Sequence, residues 1–336
     1  MKISIAMATY NGEKYLKEQL DSFVQQTRQP DELVVTDDCS TDGTLCLLKT
    51  FAKTAPFDVA VHQNQRNYGY CGNFNQALMR TSGDLVFLSD QDDVWFPEKV
   101  ECMARAAEDN PAALVLMNDA ALTDADLQDS GLTKLGQIAS AGMSNSKFVM
   151  GCCAVIKRDL LELCLPIPEP LPAHDSWIVG IADRMQRKQI IPQVLQYYRR
   201  HDQNASQWII NRTTRVSQWN VRRERWKRRL TKLHAREKQS PETESPLPLV
   251  NVLLQKWAEK AVEIAPIKYV DDLNGLLEEL HQDAAAHAKQ QAALARRAQI
   301  RGYALPLRLR KVLTEHRNGT YADFSGWLSI LRDLAG

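Results

Sequence analysis

The chain reads as an α/β protein: a mostly parallel sheet flanked by helices, followed by a helical C-terminal extension. Three observations predict this. Short apolar runs alternate with stretches of helical spacing through the first 120 residues, the pattern of βαβ units. Polar and acidic residues cluster where those runs end, the edge at which open parallel sheets bind ligands. From about 250 to 300 the sequence is rich in Ala, Leu, Gln and Glu, residues that favour helix by propensity.

In chain order, residues 2–9 form an apolar run long enough for a buried strand, closed by the turn signal Asn11-Gly12. Residues 13–27 place Tyr15, Leu16, Leu20, Phe23 and Val24 at helical spacing. Residues 32–36 predict a second strand ending at Asp37-Asp38, and Ser40 or Thr41 is suited to cap a helix ending near Lys53. A third strand over 58–62, a helix over 73–80 and a fourth strand over 84–88 follow. Pro97 suits the opening of the next helix, where its missing N–H costs nothing, and 113–117 read as a fifth strand. Farther on, 151–156 is an inner strand, 174–188 a helix and 190–198 a strand. The run 240–246, Ser-Pro-Glu-Thr-Glu-Ser-Pro, reads as a linker or loop, and 321–334 as a last helix.

Composition bounds the function classes. The 336 residues suit one large domain with an appendage or two modest domains, and 44% apolar with 25% charged residues is ordinary for a globular protein. A formal net charge of +1 points to no partner class. Charge is concentrated instead in 212–238, where eleven Lys/Arg face two acids. Seven cysteines without zinc-type spacing suggest a reducing compartment, hence cytoplasm. The N-terminus has no signal-peptide layout, and no stretch approaches the roughly 18 apolar residues of a membrane span. No Gly-rich dinucleotide fingerprint, phosphate loop or hydrolase nucleophile elbow is present, which argues against a nicotinamide enzyme, an ATPase and a serine hydrolase.

Four segments carry chemistry. Asp90-Gln91-Asp92-Asp93 gathers three carboxylates at a strand end. Mutually repelling, they persist with a hard cation among them, Mg²⁺ or Mn²⁺, which would bridge a diphosphate; the same tetrad also serves as an acidic, helix-capping loop before Pro97. Asp37-Asp38-Cys39-Ser40-Thr41-Asp42 is either a helix start or places Asp38 against a base or ribose. His174-Asp175-Ser176-Trp177 either complements a helix dipole or supplies Asp175 as a general base tuned by His174. Tyr197-Tyr198-Arg199-Arg200-His201 offers Arg forks for phosphate and a late metal ligand in His201, or is a solvated basic strand end.

Taken in order, these strings resemble a family. Ile5-Ala6-Met7-Ala8-Thr9-Tyr10-Asn11-Gly12, the Asp37–Thr44 motif, Asn67-Tyr68-Gly69 with Asn73, Leu88–Trp95 around the acidic tetrad, and His174-Asp175-Ser176-Trp177 are similar to family 2 glycosyltransferases of the Rossmann-like GT-A fold. The similarity covers about 1–205 and is greatest to the bacterial lipopolysaccharide, O-antigen and capsule branch, including rhamnosyltransferases. It implies an inverting displacement on a nucleotide-diphosphate sugar, dTDP-rhamnose or a UDP-hexose. Ala8, Thr9, Tyr10 and Asp38 would line the nucleoside site, with Asn67 and Asn73 on the donor side. Asp90, Asp92 and Asp93 would be the metal and donor-sugar carboxylates, Asp92 the foremost metal ligand with Asp90 acting through ribose or water. Asp175 would be the base; His174, Trp177, Arg199 and Arg200 would face acceptor or phosphate.

The expected organisation is a catalytic domain over 1–211, with a nucleotide-sugar half to 120 and an acceptor half beyond, then a basic, mainly helical region over 212–336. The expected partners are the sugar donor, a lipid-linked saccharide and the anionic inner face of the cytoplasmic membrane, where the protein would sit peripherally. Residues 212–238 interleave Trp219, Trp226, Leu230 and Leu233 with cations, the composition of an interfacial helix; a solvated helix face is the plainer alternative, and no nucleic-acid motif accompanies the charge. Two other functions use the same features: a sugar-phosphate nucleotidyltransferase, for which Asn11-Gly12-Glu13-Lys14 is a poor signature, and a non-catalytic glycan-assembly scaffold, for which three intact acidic motifs are excessive.

Overall fold

The computed structural model describes residues 1–169, 171, 173–202, 204, 206, 209–224, 226, 249–321 and 327–335. The chain divides into two compact units, Met1–Gln239 and Ser240–Gly336.

The first unit is built on a nine-stranded sheet. Its N-terminal half follows the expected alternation: β1 (Ile3–Thr9), α1 (Glu13–Val24), β2 (Glu32–Asp37), α2 (Thr44–Phe51), β3 (Asp58–Gln63), α3 (Gly69–Leu78) and β4 (Leu85–Ser89). The four strands are parallel in the order β3-β2-β1-β4. β1, β2 and β4 are almost wholly buried because helices cover both faces, so their sequences are continuous apolar runs. β3, at the edge, alternates exposed and half-buried residues. Ile5, Met7, Leu33, Val35, Phe87, Leu16, Leu20 and Phe23 form the core between sheet and helices.

Beyond β4 the sheet is mixed, a departure from the mostly parallel expectation. Next come β5 (Val94–Trp95), α4 (Lys99–Asp109), β6 (Val115–Thr123), β7 (Asp129–Thr133), α5 (Lys134–Ser140), β8 (Ala154–Lys157), α6 (Arg158–Cys164), α7 (His174–Arg184) and β9 (Lys188–Arg199). β8 returns to lie antiparallel between β4 and β6, so the fifth long strand does not pair with the fourth. β6 pairs with β9 in parallel and with β7 antiparallel. The β6–β9 register slips between Asn118 and Asp119, opposite Pro192. Proline has no N–H to give a ladder and is confined within sheets to edges and bulges. The slip sets the second half of β9 against β5, pairing Tyr197 with Val94 and Gln196 with Trp95.

Several boundaries differ for local reasons. Ser40 and Thr41 do not cap α2; Ser40 turns back onto Asp37, and α2 starts at Thr44 with the Gly43 N–H donating to Glu13 (2.8 Å). α3 starts at Gly69, four residues before Asn73. The 151–156 run is a 3-10 turn followed by β8. Residues 218–224 are helical (α8). Residues 211–216 join α5: Gln137 Nε2 donates to the Arg212 and Thr214 carbonyls at 2.9 and 2.8 Å.

The second unit is helical: α9 (Leu249–Ile264), α10 (Ile267–Arg301), α11 (Leu305–Arg317) and α12 (Trp327–Ala335). Ile300, Val312, Tyr321 and Ile330 form a small core. Beside it Asp333, fully buried, receives both Arg297 (2.5 Å) and the Tyr321 hydroxyl (3.0 Å). No helix among the described residues is long and apolar enough to cross a membrane. The linker reading of 240–246, Leu230 and Leu233 of the basic stretch, and residues 322–326 of the expected 321–334 helix lie outside the described residues.

Candidate active site

The parallel strands β1, β2 and β4 end along one edge of the sheet, and the residues singled out in the sequence collect there. At the β1 and β2 ends the polar groups are interlocked. Thr9 donates its hydroxyl to Asp37 (3.0 Å), and Asn73 Nδ2 donates to the Thr9 carbonyl (3.1 Å). The Asp38 carboxylate accepts from Asn64 Nδ2 and from the consecutive backbone N–H groups of Tyr68 and Gly69, all at 2.8 Å. Gly69 takes a left-handed conformation at φ +73°, which only glycine adopts freely and which turns both amides onto one carboxylate. Asn67 completes the turn, donating to the Asp38 carbonyl (3.3 Å) and accepting from Gly69 (2.9 Å). Asp38 thus orders the 64–69 segment, its carboxylate buried beneath it. Ala8 is half-buried, and Tyr10 projects outward, 50% exposed.

The acidic turn after β4 is held from two sides. Gln91 grips the backbone of Tyr10, accepting from its N–H (2.9 Å) and donating to its carbonyl (3.1 Å). Its side chain occupies the position where a Cβ on Gly12 would lie. On the other side, Gln196 Nε2 and the Arg199 N–H donate to Asp93 at 3.0 and 3.2 Å. The Arg199 guanidinium donates to the carbonyls of Asp92 (2.8 Å) and Ala125 (2.7 Å) and pairs with Glu18. Asp92 lies 2.8 Å from His201 Nε2 and accepts from Asn204 Nδ2 (3.0 Å); the His201 ring stacks on Tyr15 at 4.8 Å. Arg200 donates to the Tyr198 hydroxyl (3.2 Å) and the Ser206 carbonyl (2.9 Å).

α7 contributes from the third side. Asp175 lies in its first turn and accepts from the Ser176 N–H at 2.7 Å. His174 is fully buried, stacked on Phe74 (3.9 Å) and against Tyr70 (5.0 Å), with neither ring nitrogen hydrogen-bonded. Burial holds it neutral, pushing its pKa down to about 4. Trp177 is packed inside, its indole N–H donating to the Cys164 carbonyl (3.2 Å).

The structure therefore brings Asp90, Asp92, Asp175, His201 and His174 to one place and corrects several other expectations. Trp177 and Arg199 do not face an acceptor or phosphate: the first is core, and the second staples β9 to the acidic turn. Asp93 is fully buried and taken up by β9, and Asn73 is spent on the Thr9 carbonyl and Asn64. Sequence reasoning missed Tyr70, whose hydroxyl donates to Asp90 (3.3 Å) while its ring packs on Phe74 and His174. It also missed Asn204, Gln91 and the buried Lys99, which donates to the Cys152 carbonyl (2.9 Å) and to Gln196. Tyr70 lies one residue past the Asn67-Tyr68-Gly69 string, a signal close enough to have found it; Asn204 and Lys99 carry none.

The electrostatics follow from crowding. Burial, then the charges of Asp92, Asp93 and Asp175, push the Asp90 pKa well above the usual carboxylate range. Burial and Asp92 raise Asp93 to about 7. Asp90, Asp93 and the Cys152 thiol offer ligand atoms within 4.8 Å of one another, but Asp93 already accepts from Gln196 and the Arg199 N–H of β9. Among the described residues, the Asp90 carboxylate accepts from the Tyr70 hydroxyl alone and faces three like charges. Oxygen donors in excess of their compensation fit a hard divalent cation rather than a thiolate-bound one.

This arrangement of half-parallel sheet and acidic strand ends is the GT-A fold. A crystal structure of residues 1–349 of Staphylococcus aureus TarS in complex with UDP-GlcNAc superposes with a TM-score of 0.52 at 17% identity, covering 99% of this chain and 89% of that one. Residues 4–164, just under half of the chain, match the model of glycosyl transferase family 2. The putative glycosyltransferase EpsE of Bacillus subtilis is 35% identical over 30% of this chain and 36% of its own length. The dTDP-rhamnosyl transferase RfbG of Shigella flexneri is 33% identical over 28% of this chain and 34% of its own. The chain thus spans about a third of the length of these two curated relatives.

Proposed function

We propose that the protein is an inverting glycosyltransferase that moves a sugar from a nucleotide-diphosphate donor to a saccharide acceptor in surface-polysaccharide synthesis. The observation that carries this is the convergence of Asp90, Asp92 and Asp175 at the carboxyl edge of β1, β2 and β4, beside a segment that matches the family 2 model. That RfbG is a dTDP-rhamnosyl transferase and that TarS binds UDP-GlcNAc support dTDP-rhamnose or a UDP-linked hexose as donor; the acceptor would be a lipid-linked saccharide.

The nucleoside would lie over Thr9, Tyr10 and the 64–69 turn that Asp38 holds, Asp38 acting through that turn. Asp175, on the opposite wall, accepts the proton of the attacking acceptor hydroxyl; the new bond forms from that oxygen to the anomeric carbon as the bond to the diphosphate breaks, inverting the centre. A positioned base of this kind must be within hydrogen-bond reach of the proton it takes. Tyr70, bonded to Asp90 and packed on His174, joins the acidic turn to the first turn of α7. Asp92 and Asp90, with His201, would hold Mg²⁺ or Mn²⁺, which when bound neutralises charge on the leaving diphosphate.

Residues 212–238 would rest on the anionic inner face of the cytoplasmic membrane, near a lipid-linked acceptor. Of that stretch, Trp219 and Trp226, seven residues apart, are each 64% exposed, and Arg223 stands over the Trp219 ring.

Donor hydrolysis and nucleotide binding test the reading together. Wild-type protein with Mn²⁺ should hydrolyse one of the UDP-, dTDP- or GDP-sugars and lose this with EDTA. Asp92→Asn should melt like wild type and lose nearly all turnover, since an amide cannot balance a divalent cation. Full turnover in chelated protein, or in Asp92→Asn, overturns the metal assignment. Failure to bind any nucleotide sugar overturns the function.

A further inference from the structure

We infer that α11, in the C-terminal unit, is a docking surface for an anionic phospholipid bilayer. This goes beyond the reading of 212–238, because it lies in the other unit and rests on different residues.

α11 is attached along one side only. Val312 is the one residue it buries, in the core with Ile300, Tyr321 and Ile330. Its neighbouring side presents Leu305, Leu309 and Leu313, 69%, 49% and 53% exposed. Spaced by four, they line one face of a helix. Leu307 is exposed as well, at 43%. Single exposed leucines need no explanation; three in register on one short helix do.

The charges around the stripe have one sign. Arg310, Lys311 and Arg317 are exposed, and on the helical wheel Arg310 and Arg317 lie together beside the leucine row, on the side away from Val312. Glu315, the only acid of α11, points inward to Arg296 (3.3 Å) and to Thr320, 17% exposed. Arg308 is tied to the carbonyls of Tyr303, Leu334 and Arg301 at 3.0, 3.1 and 2.9 Å, which fastens the start of α11 to the end of α10 and to α12. The outward face is therefore apolar with a cationic border.

Charge decides the occupant. A second copy packed on this face about a two-fold axis would bring its own Arg310 and Arg317 onto these, because such an interface pairs a patch with itself, and interface cores are depleted of charge. A bilayer interface accepts both halves: leucines enter the acyl boundary while the guanidinium heads reach back to lipid phosphates.

The test is co-sedimentation of the full chain with vesicles of neutral phosphatidylcholine, or of the same lipid with 30% phosphatidylglycerol. Binding to the anionic vesicles should exceed that to neutral ones and weaken as salt rises. Arg310→Gln/Arg317→Gln should lower the partition coefficient by about 30-fold, two charges each worth about fivefold. Leu309→Gln/Leu313→Gln should lower it at least about tenfold, from lost apolar burial. Both variants should melt like wild type and keep the same sedimentation coefficient without lipid. Wild-type-like binding by both variants, with release by Trp219→Ala/Trp226→Ala alone, overturns the role of α11 and leaves the 212–238 reading standing. A wild type that ignores anionic vesicles overturns both, and an α11 variant that converts a dimer to a monomer assigns the face to a second copy.

Discussion

His174 and Asp175 are adjacent in sequence and opposite in environment. Asp175 is half-exposed in the first turn of α7, while His174 is buried among Phe74 and Tyr70 with both nitrogens unbonded. The imidazole pKa is lowered to about 4 by burial, with the neighbouring Asp175 charge opposing, so the folded protein resists a proton that the unfolded chain accepts near 6.5. Its contribution to stability is therefore intact above 6.5 and is lost as pH falls from there towards 4, worth about 3 kcal/mol over that window. His174→Leu should melt with a smaller drop between pH 7.5 and 5 than wild type does; an equal drop would place the sensitivity elsewhere. Asp175 gives a kinetic prediction. Asp175→Asn should cut kcat by roughly 10²–10⁴-fold, the usual worth of a positioned base, with nucleotide affinity by calorimetry unchanged. If affinity falls and kcat survives, Asp175 belongs to the donor side.

At the scale of elements, the site depends on two devices that organise backbone rather than touch substrate. One is Asp38, whose carboxylate gathers the 64–69 segment. Asp38→Ala removes the acceptor of two half-buried donors, Asn64 and the Tyr68 N–H, and of the exposed Gly69 N–H, at a cost of about 1–3 kcal/mol per buried group left unpaired. Amide exchange at Tyr68 and Gly69 should quicken and donor KM should rise, while kcat at saturation changes less; unchanged exchange at those two amides would refute the ordering role. The other is β9, stapled to the acidic turn through Asp93, Gln196 and Arg199. Both explain why nominated residues turned out to be supports. A carboxylate at a strand end reads the same in sequence whether it faces solvent or backbone, and its partners come from segments about 30 and 106 residues away. What the alternation of apolar runs did reveal was β1 to β4 and the edge they share. The reversal at β8 was hidden, because an inner strand is apolar in either direction. Tyr70 was within reach of the motif, but Asn204 and Lys99 were not, since neither sits in a pattern.

On the scale of the whole molecule, the chain joins an α/β unit whose chemistry is crowded into one edge and a helical unit whose notable surface is α11. The first could be anticipated because function there needs carboxylates, and carboxylates at strand ends are visible in a sequence. The second was legible only as helix, since the leucines of α11 look like core until Val312 alone proves to be inside. One feature of the first unit also bears on its history. Gln91 fills the space beside Gly12 while holding both backbone groups of Tyr10. A methyl at position 12 would displace the amide and break that grip, and a shorter side chain at 91 would leave Tyr10 unheld without relieving anything. Each change is harmful alone, and the first becomes tolerable only after the second. A lineage altering this corner must therefore pass through an intermediate less fit than either end, so the two positions should drift as a pair or stay fixed together.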